Sequence, residues 1–169
     1  MKILGIAASA SEDSGNYFLL NAIAKLFVEK GDMEVYQGLY DFDLFTPKRL
    51  KQGTPENIQG LKDKIIKADL IVIATPEYTH NIPAVLKNLI EWCTHSGEFS
   101  EKMLLPITFT PHAPRGEHAM SSLLASLKTV NANILTTLPL YRTDVTVKNK
   151  KIKLSDAVKE MLTAAFDII

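Results

Sequence analysis

The sequence predicts a three-layer α/β domain, with a doubly wound, five-stranded parallel sheet held between two sets of helices. Three observations lead there. Leu70-Ile71-Val72-Ile73-Ala74-Thr75 is a short, β-branched run without polar alternation, as expected of a strand buried on both faces in a parallel sheet. Short apolar runs alternate with longer amphipathic stretches along the chain, which calls for right-handed crossovers. At 169 residues and 46% hydrophobic content, the chain can bury a substantial core without a metal or disulfide.

Residues 3–7 are the first strand, and a small polar loop over residues 8–15 leads into a helix over residues 16–30. Leu19, Leu20, Ile23 and Phe27 give that helix one apolar face, and Gly31 is placed to stop it. Residues 33–38 are a weaker second strand, and residues 39–53, with Tyr40, Phe42, Phe45 and Pro47, read as irregular. Thr54 or Pro55 opens a helix ending near Ala68. Pro76 ends the buried strand because it has no N–H for a ladder, and Pro83 opens a helix through Trp92. Residues 103–109 are the fourth strand, and residues 116–131 a helix with Leu123, Leu124 and Leu127 inward. Residues 133–138 are the fifth strand and residues 155–168 a closing amphipathic helix, with Ser155 as its N-cap. No repeat, linker or low-complexity tract interrupts the pattern, so residues 1–169 are read as one domain.

Composition narrows the function. Lys+Arg and Asp+Glu are 19 each, which points away from nucleic acid and from anionic membranes. The single cysteine, Cys93, excludes an intrachain disulfide and most cysteine-based metal sites. It shares an inward helical stripe with Leu86, Leu89 and Ile90, so it reads as a buried structural thiol. His80, His95, His112 and His118 form no i,i+4 pair, and no metal site is expected. No Gly-x-Ser-x-Gly elbow marks a hydrolase. The first residues run straight into a strand without a signal-peptide core, and no run reaches membrane-spanning length, so a cytoplasmic protein is expected.

Two loops carry the chemistry. Ala8-Ser9-Ala10-Ser11-Glu12-Asp13-Ser14-Gly15-Asn16 joins the first strand to the first helix and offers three hydroxyls, an amide side chain and the free amides of a helix start. Those groups can cradle a phosphate, because first-turn N–H groups point outward and the helix dipole favours an anion. The loop is neither a Walker loop nor a Gly-x-Gly-x-x-Gly turn. The second loop, Pro76-Glu77-Tyr78-Thr79 with His80 and Asn81, supplies a planar aromatic, a carboxylate and backbone amides at the end of the buried strand. In a sheet of order 2-1-3-4-5 the first and third strands are neighbours at the switch point, so one ligand could seat a phosphate on the first loop and a ring on the second.

The motifs identify a resemblance. The chain is similar to the NADPH-dependent FMN reductase family, flavodoxin-like quinone, chromate and azo-type reductases. That family's phosphate loop, Gly-Ser-x-Arg-x-x-Ser-x-Asn, aligns without gaps with residues 8–16. Its second signature, Pro-Glu-Tyr-Asn followed by Ile-Pro and Leu-Lys-Asn, aligns with Pro76-Glu77-Tyr78-Thr79, Ile82-Pro83 and Leu86-Lys87-Asn88. The resemblance implies a flavodoxin-like fold and bound FMN, with NADPH or NADH as co-substrate. It also implies hydride transfer to a quinone, flavin or other small acceptor, and a homodimer or homotetramer. No side chain is required as acid or base. Ser9, Ser11, Ser14, Gly15 and Asn16 would hold the phosphate, with Pro76, Glu77, Tyr78, Thr79, His80 and Asn81 at the ring. The third flavin loop would be residues 110–116, where Thr110 and His112 border the flavin and Arg115 meets a nicotinamide phosphate.

Three departures bear on cofactor affinity: Ser11 replaces the family's arginine, Thr79 replaces its asparagine, and prolines replace glycines in the third loop. Two alternatives therefore stay open, a flavodoxin-like electron carrier and a flavodoxin-like module that has lost FMN. The helix through Trp92 is apolar around much of its circumference, which is the physical reason to expect a subunit contact.

Overall fold

The strands Lys2–Ala7 (β1), Asp32–Tyr36 (β2), Leu70–Thr75 (β3), Met103–Thr110 (β4), Asn133–Ile134 (β5) and Leu138–Tyr141 (β6) form one parallel sheet in the computed structural model, which describes residues 1–168. Their order is β2-β1-β3-β4-β5, with β6 also pairing to β4. The switch point between β1 and β3 is there, registered from Ile3↔Leu70 to Ala7↔Ala74. All of β3 is buried because helices cover both faces of the sheet.

Alternate strand residues feed two cores. Gly15–Leu26 (α1) and Asp156–Phe166 (α6) cover one face, packing Leu19, Leu20, Ile23, Val158 and Leu162 on Val72 and Ile107. Pro47–Gln52 (α2), Glu56–Lys67 (α3), Ala84–Thr94 (α4) and Glu117–Thr129 (α5) lie on the other side, where α3, α4 and α5 bury Ile58, Leu61, Leu86, Leu89 and Leu123 on Ile71 and Ile73. Ser155 caps α6 as expected, accepting from Val158 N at 3.3 Å. No helix among the described residues is long and apolar enough to cross a membrane.

Five features differ from the sequence expectation. Helix α1 ends at Leu26 rather than Lys30, because Phe27 leaves the helix and stacks on Phe166 at 4.0 Å between ring centroids. Gly31 serves a close approach instead of a helix stop, since a Cβ there would sit 2.5 Å from the Met1 carbonyl oxygen. The fifth strand position is shared by β5 and β6: β4 advances three residues from Leu104 to Ile107 while the edge advances four, from Ile134 to Leu138. Pro106, which has no N–H for a ladder, sits on β4 beside this break.

Residues 39–53 are more ordered than expected. A 3-10 turn at Leu39–Asp41 and helix α2 lay Phe42, Phe45 and Leu50 against the second core. Trp92 is fully buried there, edge-on to Phe45, with its indole N–H donated to the Asp43 carbonyl at 2.8 Å. The apolar surplus of α4 is thus covered within the chain. The last difference is a hairpin, Val145–Lys148 (β7) with Lys151–Leu154 (β8), whose turn residues Asn149 and Lys150 have φ of +49° and +59°. Leu154 of that hairpin is buried in the α1/α6 core. The one-domain expectation included Ile169, which lies outside the described residues.

Candidate functional site

The C-terminal ends of the strands open on a cleft of ≈ 360 Å³. Ser9, Ser11, Ser14, Gly15 and Asn16 line it from the loop after β1, and Pro76 and Tyr78 from the loop after β3. Phe109 and Thr110 at the end of β4, with Pro111 after it, close a third side, and Arg142, directly after β6, stands at the edge. Eight predicted residues are thus brought together: Ser9, Ser11, Ser14, Gly15, Asn16, Pro76, Tyr78 and Thr110. Glu77, Thr79, His80, Asn81, His112 and Arg115 lie outside that lining.

The first loop is built as an anion cradle. Ser14 is the N-cap of α1, its oxygen accepting from Tyr17 N at 3.2 Å, which leaves its hydroxyl proton free to donate. Ser9 Oγ accepts from Ser11 N at 3.3 Å and folds the loop back over the strand end. The Gly15 and Asn16 amides are in the first turn, before any helical carbonyl can reach them. A Cβ on Gly15 would lie 3.3 Å from the Phe109 ring, so glycine lets the helix start approach β4 closely. Asn16 is 4% exposed, and its buried Oδ1 has no hydrogen-bond partner among the described residues. A buried orphan acceptor is costly unless a ligand completes it. Glu12 and Asp13, which would repel an anion, are drawn away from the cleft lining. Asp13 pairs with Lys150 of the hairpin turn, and Glu12 lies beside Tyr40.

The second loop is a tight turn. Tyr78 and Asn81 exchange both backbone hydrogen bonds at 2.9 Å, and Thr79 and His80 between them have φ of +48° and +56°. The Tyr78 amide is therefore spent within the turn, while the Thr79 amide has no acceptor among the described residues. The turn presents the Tyr78 ring, 44% exposed, at the mouth of the cleft. Asn81 braces it, its Oδ1 accepting from Ile82 N at 2.8 Å and from the Ser122 hydroxyl at 2.6 Å.

Glu77 points inward. Its Oε2 accepts from Gly116 N and Ala119 N, each at 3.1 Å, and so caps α5, whose own N-cap residue Gly116 has no side chain to do so. Burial opposes ionisation of Glu77, but these two amides, with His118 and His80 beside it, outweigh burial and hold the carboxyl below its usual range. His80 Nδ1 is 3.7 Å from Glu77 Oε1, and the His80 and His118 rings meet edge-on at 4.7 Å. Glu77 thereby ties the second loop to the third. In the third loop Thr110 Oγ1 donates to the Arg115 carbonyl at 2.8 Å, Arg115 N donates to the His112 carbonyl at 3.1 Å, and His112 Nδ1 meets the Ala113 carbonyl at 2.9 Å. The His112 and Arg115 side chains are exposed. Cys93 is fully buried, and burial followed by the Glu98 carboxylate pushes its thiol pKa far up, so it is no nucleophile.

Sequence reasoning missed Phe109 and Arg142, and it placed Pro111 in the third flavin loop without giving it a contact. The signal for Arg142 was the apolar run Leu138-Pro139-Leu140-Tyr141, which extends the edge strand past the expected boundary at 138.

Fold and cleft define the class: a doubly wound α/β protein with a neutral anion cradle at its switch point, beside an exposed aromatic ring. The chain belongs to the NADPH-dependent FMN reductase family, which it matches over residues 1–143. It is 38% identical over 98 residues to the NADH:(hydroxy)cinnamate reductase subunit CrdA of Vibrio ruber, covering 58% of this chain and 48% of that protein. It is 37% identical over 93 residues to the NADH-dependent flavin reductase subunit 2 of Lactobacillus johnsonii, covering 54% and 48%. The matched region spans about half the length of these curated relatives. Among solved structures, the flavoenzyme NAD(P)H:(acceptor) oxidoreductase FerB from Paracoccus denitrificans superposes with a TM-score of 0.83 at 20% identity, covering 98% of this chain and 95% of that one. At that identity the likeness is one of fold.

Proposed function

We propose that this chain is an FMN-dependent oxidoreductase that takes hydride from NADH or NADPH and passes it to a quinone, a flavin or another small acceptor. The observation that carries the reading is the cradle at the start of α1, where a free serine proton, two first-turn amides and the Asn16 residue line one cleft. The serine hydroxyl and the first-turn amides are donors, which fits the phosphate end of a phosphate ester. Membership of the FMN reductase family supports the same reading.

Bound FMN supplies the two-electron chemistry. The chain's own residues bind and orient. Ser9, Ser11, Ser14, Gly15 and Asn16 hold the phosphate end, and Pro76 and Tyr78 set the plane in which a ring can lie. The Thr79 amide is the free donor at the turn and favours negative charge beside it. Glu77 fixes the second loop against α5, so the two walls of the cleft keep their spacing. The exposed mouth beside Tyr78 leaves room for nicotinamide and acceptor to use the same face in turn.

Anaerobic stopped-flow of FMN-loaded protein with NADH and with NADPH tests this. Bleaching of the flavin absorbance at a rate that saturates with nicotinamide is the expected result. Bound flavin that neither nicotinamide bleaches would make the chain an electron carrier, and a protein that takes up no FMN would refute the reading.

We also propose a cytoplasmic homodimer that buries the groove of ≈ 1130 Å³ between α2 and α4, lined by Phe45, Pro47, Leu50, Lys87, Glu91 and His95 among others. Apolar Phe45, Pro47 and Leu50, beside a Lys87–Glu91 pair already joined within α4, suit contact with a second copy. Sedimentation at micromolar concentration should report a dimer, and a lone monomer would refute it.

A further inference from the structure

A phosphate monoester carries a charge of about −1.5 to −2 near neutral pH. The dipole of α1 offers only about half a positive charge against it. The first loop adds no cation, because the family's arginine position is Ser11. Among the residues lining the cleft, Arg142 alone is charged. Its position follows from strand register: β6 runs parallel to β4 with Thr110 opposite Tyr141, so the next residue, Arg142, emerges level with Pro111 at the C-terminal end of the sheet. The Arg142 guanidinium makes no hydrogen bond or ion pair among the described residues, although Asp144 is only two positions on. The carboxylates of the first loop are engaged elsewhere, Asp13 with Lys150 and Glu12 beside Tyr40. A free guanidinium thus lines one cleft with the serine N-cap of α1 and with the Gly15 and Asn16 residues of its first turn.

We propose that Arg142 is the phosphate-recognising cation of this cleft, supplying from the far edge of the sheet the charge that is missing at position 11. The inference rests on the FMN reading above and adds a residue and a selectivity to it. The planar fork of an arginine can take two phosphate oxygens while the α1 amides and the Ser14 hydroxyl take the remaining contacts. Because the interaction is with the phosphate alone, Arg142 should make the cleft discriminate FMN from riboflavin.

The test is titration of FMN and of riboflavin by flavin fluorescence with wild type, Arg142→Ala and Arg142→Lys. Wild type should prefer FMN strongly. Arg142→Ala should weaken FMN by roughly 10- to 100-fold, the worth of a charge-assisted contact, and leave riboflavin unchanged, so that the preference collapses. Arg142→Lys should restore part of it, because lysine keeps the charge and loses the fork. Equal losses for both flavins, or no loss for FMN, would overturn the inference while leaving the FMN reading intact. An effect confined to the Michaelis constant for NADPH relative to NADH would overturn it as well, by moving the contact to a nicotinamide phosphate. Wild type that binds neither flavin would overturn the FMN reading and this inference with it. Arg142 is exposed and makes no side-chain bond among the described residues, so neither variant removes a described contact.

Discussion

Replacing Glu77 by Gln should destabilise the protein at neutral pH and do so progressively less in acid. The Glu77 side chain is 2% exposed, and among the described residues its Oε2 is the only side-chain acceptor at the start of α5, taking Gly116 N and Ala119 N at 3.1 Å each. Hydrogen bonds to a charged acceptor are worth about 1.5–3 kcal/mol, against about 0.5–1.5 kcal/mol for neutral ones. Glutamine keeps a carbonyl acceptor but loses the charge that favours a helix N-terminus, so about 1–3 kcal/mol should be lost. At this chain length that corresponds to roughly 2–4 °C of melting temperature per kcal/mol. Alanine leaves two buried amides without an acceptor and should cost about 3 kcal/mol or more.

The pH dependence has a definite sign. The amides and the two histidines outweigh burial and lower the folded pKa of Glu77 below the ordinary 4.5. Its stabilisation is therefore fully present above the unfolded pKa and is lost as pH falls through the depressed folded value. Urea denaturation of wild type and Glu77→Gln should show the full gap at pH 7 and a closing gap below the ordinary carboxyl range. A gap under about 0.5 kcal/mol at pH 7, or one of equal size in strong acid, would sink the assignment of Glu77 as an ionised cap.

Four further outcomes are expected. Lys62 is 2% exposed and is held by Glu98 at 3.2 Å, Ser96 Oγ at 2.6 Å and the Trp92 carbonyl at 3.2 Å, so Lys62→Met should cost about 3–5 kcal/mol in urea denaturation. Adding Glu98→Leu should recover much of that loss, since the stranded charge is then gone. Gly116→Ala should lower the melting temperature, because φ is +108° there and the new Cβ would lie 2.9 Å from Thr108 Oγ1, a strain of about 1–3 kcal/mol. Ser14→Ala with Asn16→Ala should weaken FMN tenfold or more in a fluorescence titration and remove about 1 kcal/mol of helix capping. Thr79→Asn should raise stability by up to about 1 kcal/mol by calorimetry, because a β-branched residue at φ +48° is strained where asparagine is tolerated.

How much was legible depended on the range of the forces involved. The buried strand Leu70–Thr75, the two proline-marked helix starts and the Ser155 cap are local signals, and each appears in the structure within a residue or two of its expected place. Elements decided by tertiary contact were harder to read. Helix α1 stops where Phe27 turns to meet Phe166, 139 positions along the chain. The β7–β8 hairpin was hidden because its turn is Asn149-Lys150 rather than a glycine pair, although alternation from Val145 to Leu154 was present. The segment over residues 39–53 looked irregular because its aromatics bury against α4, a partner that no local period reveals.

The same reasoning applies to the site. Residues supplied by one loop were legible, because serines, glycine and asparagine before a helix carry their geometry in their own spacing. The charge of that loop was not. Read alone, Glu12 and Asp13 make the cradle look hostile to a phosphate, and Ser11 makes it look deprived of a cation. In the folded chain the first carboxylate lies beside Tyr40 and the second is paired with Lys150, which a hairpin brings back from 137 residues away. The cation arrives from Arg142, set level with Pro111 by a parallel register and not by any motif. The two cations come from adjoining pieces of chain, β6 and the hairpin that follows it, both lying beyond the fourth strand. Residues 142–150, which sequence reading left without a role, therefore adjust the electrostatics of a loop at the other end of the chain. Lys150→Ala should accordingly weaken FMN more at low salt than at high salt, since it uncovers the Asp13 carboxylate within screening range of the phosphate.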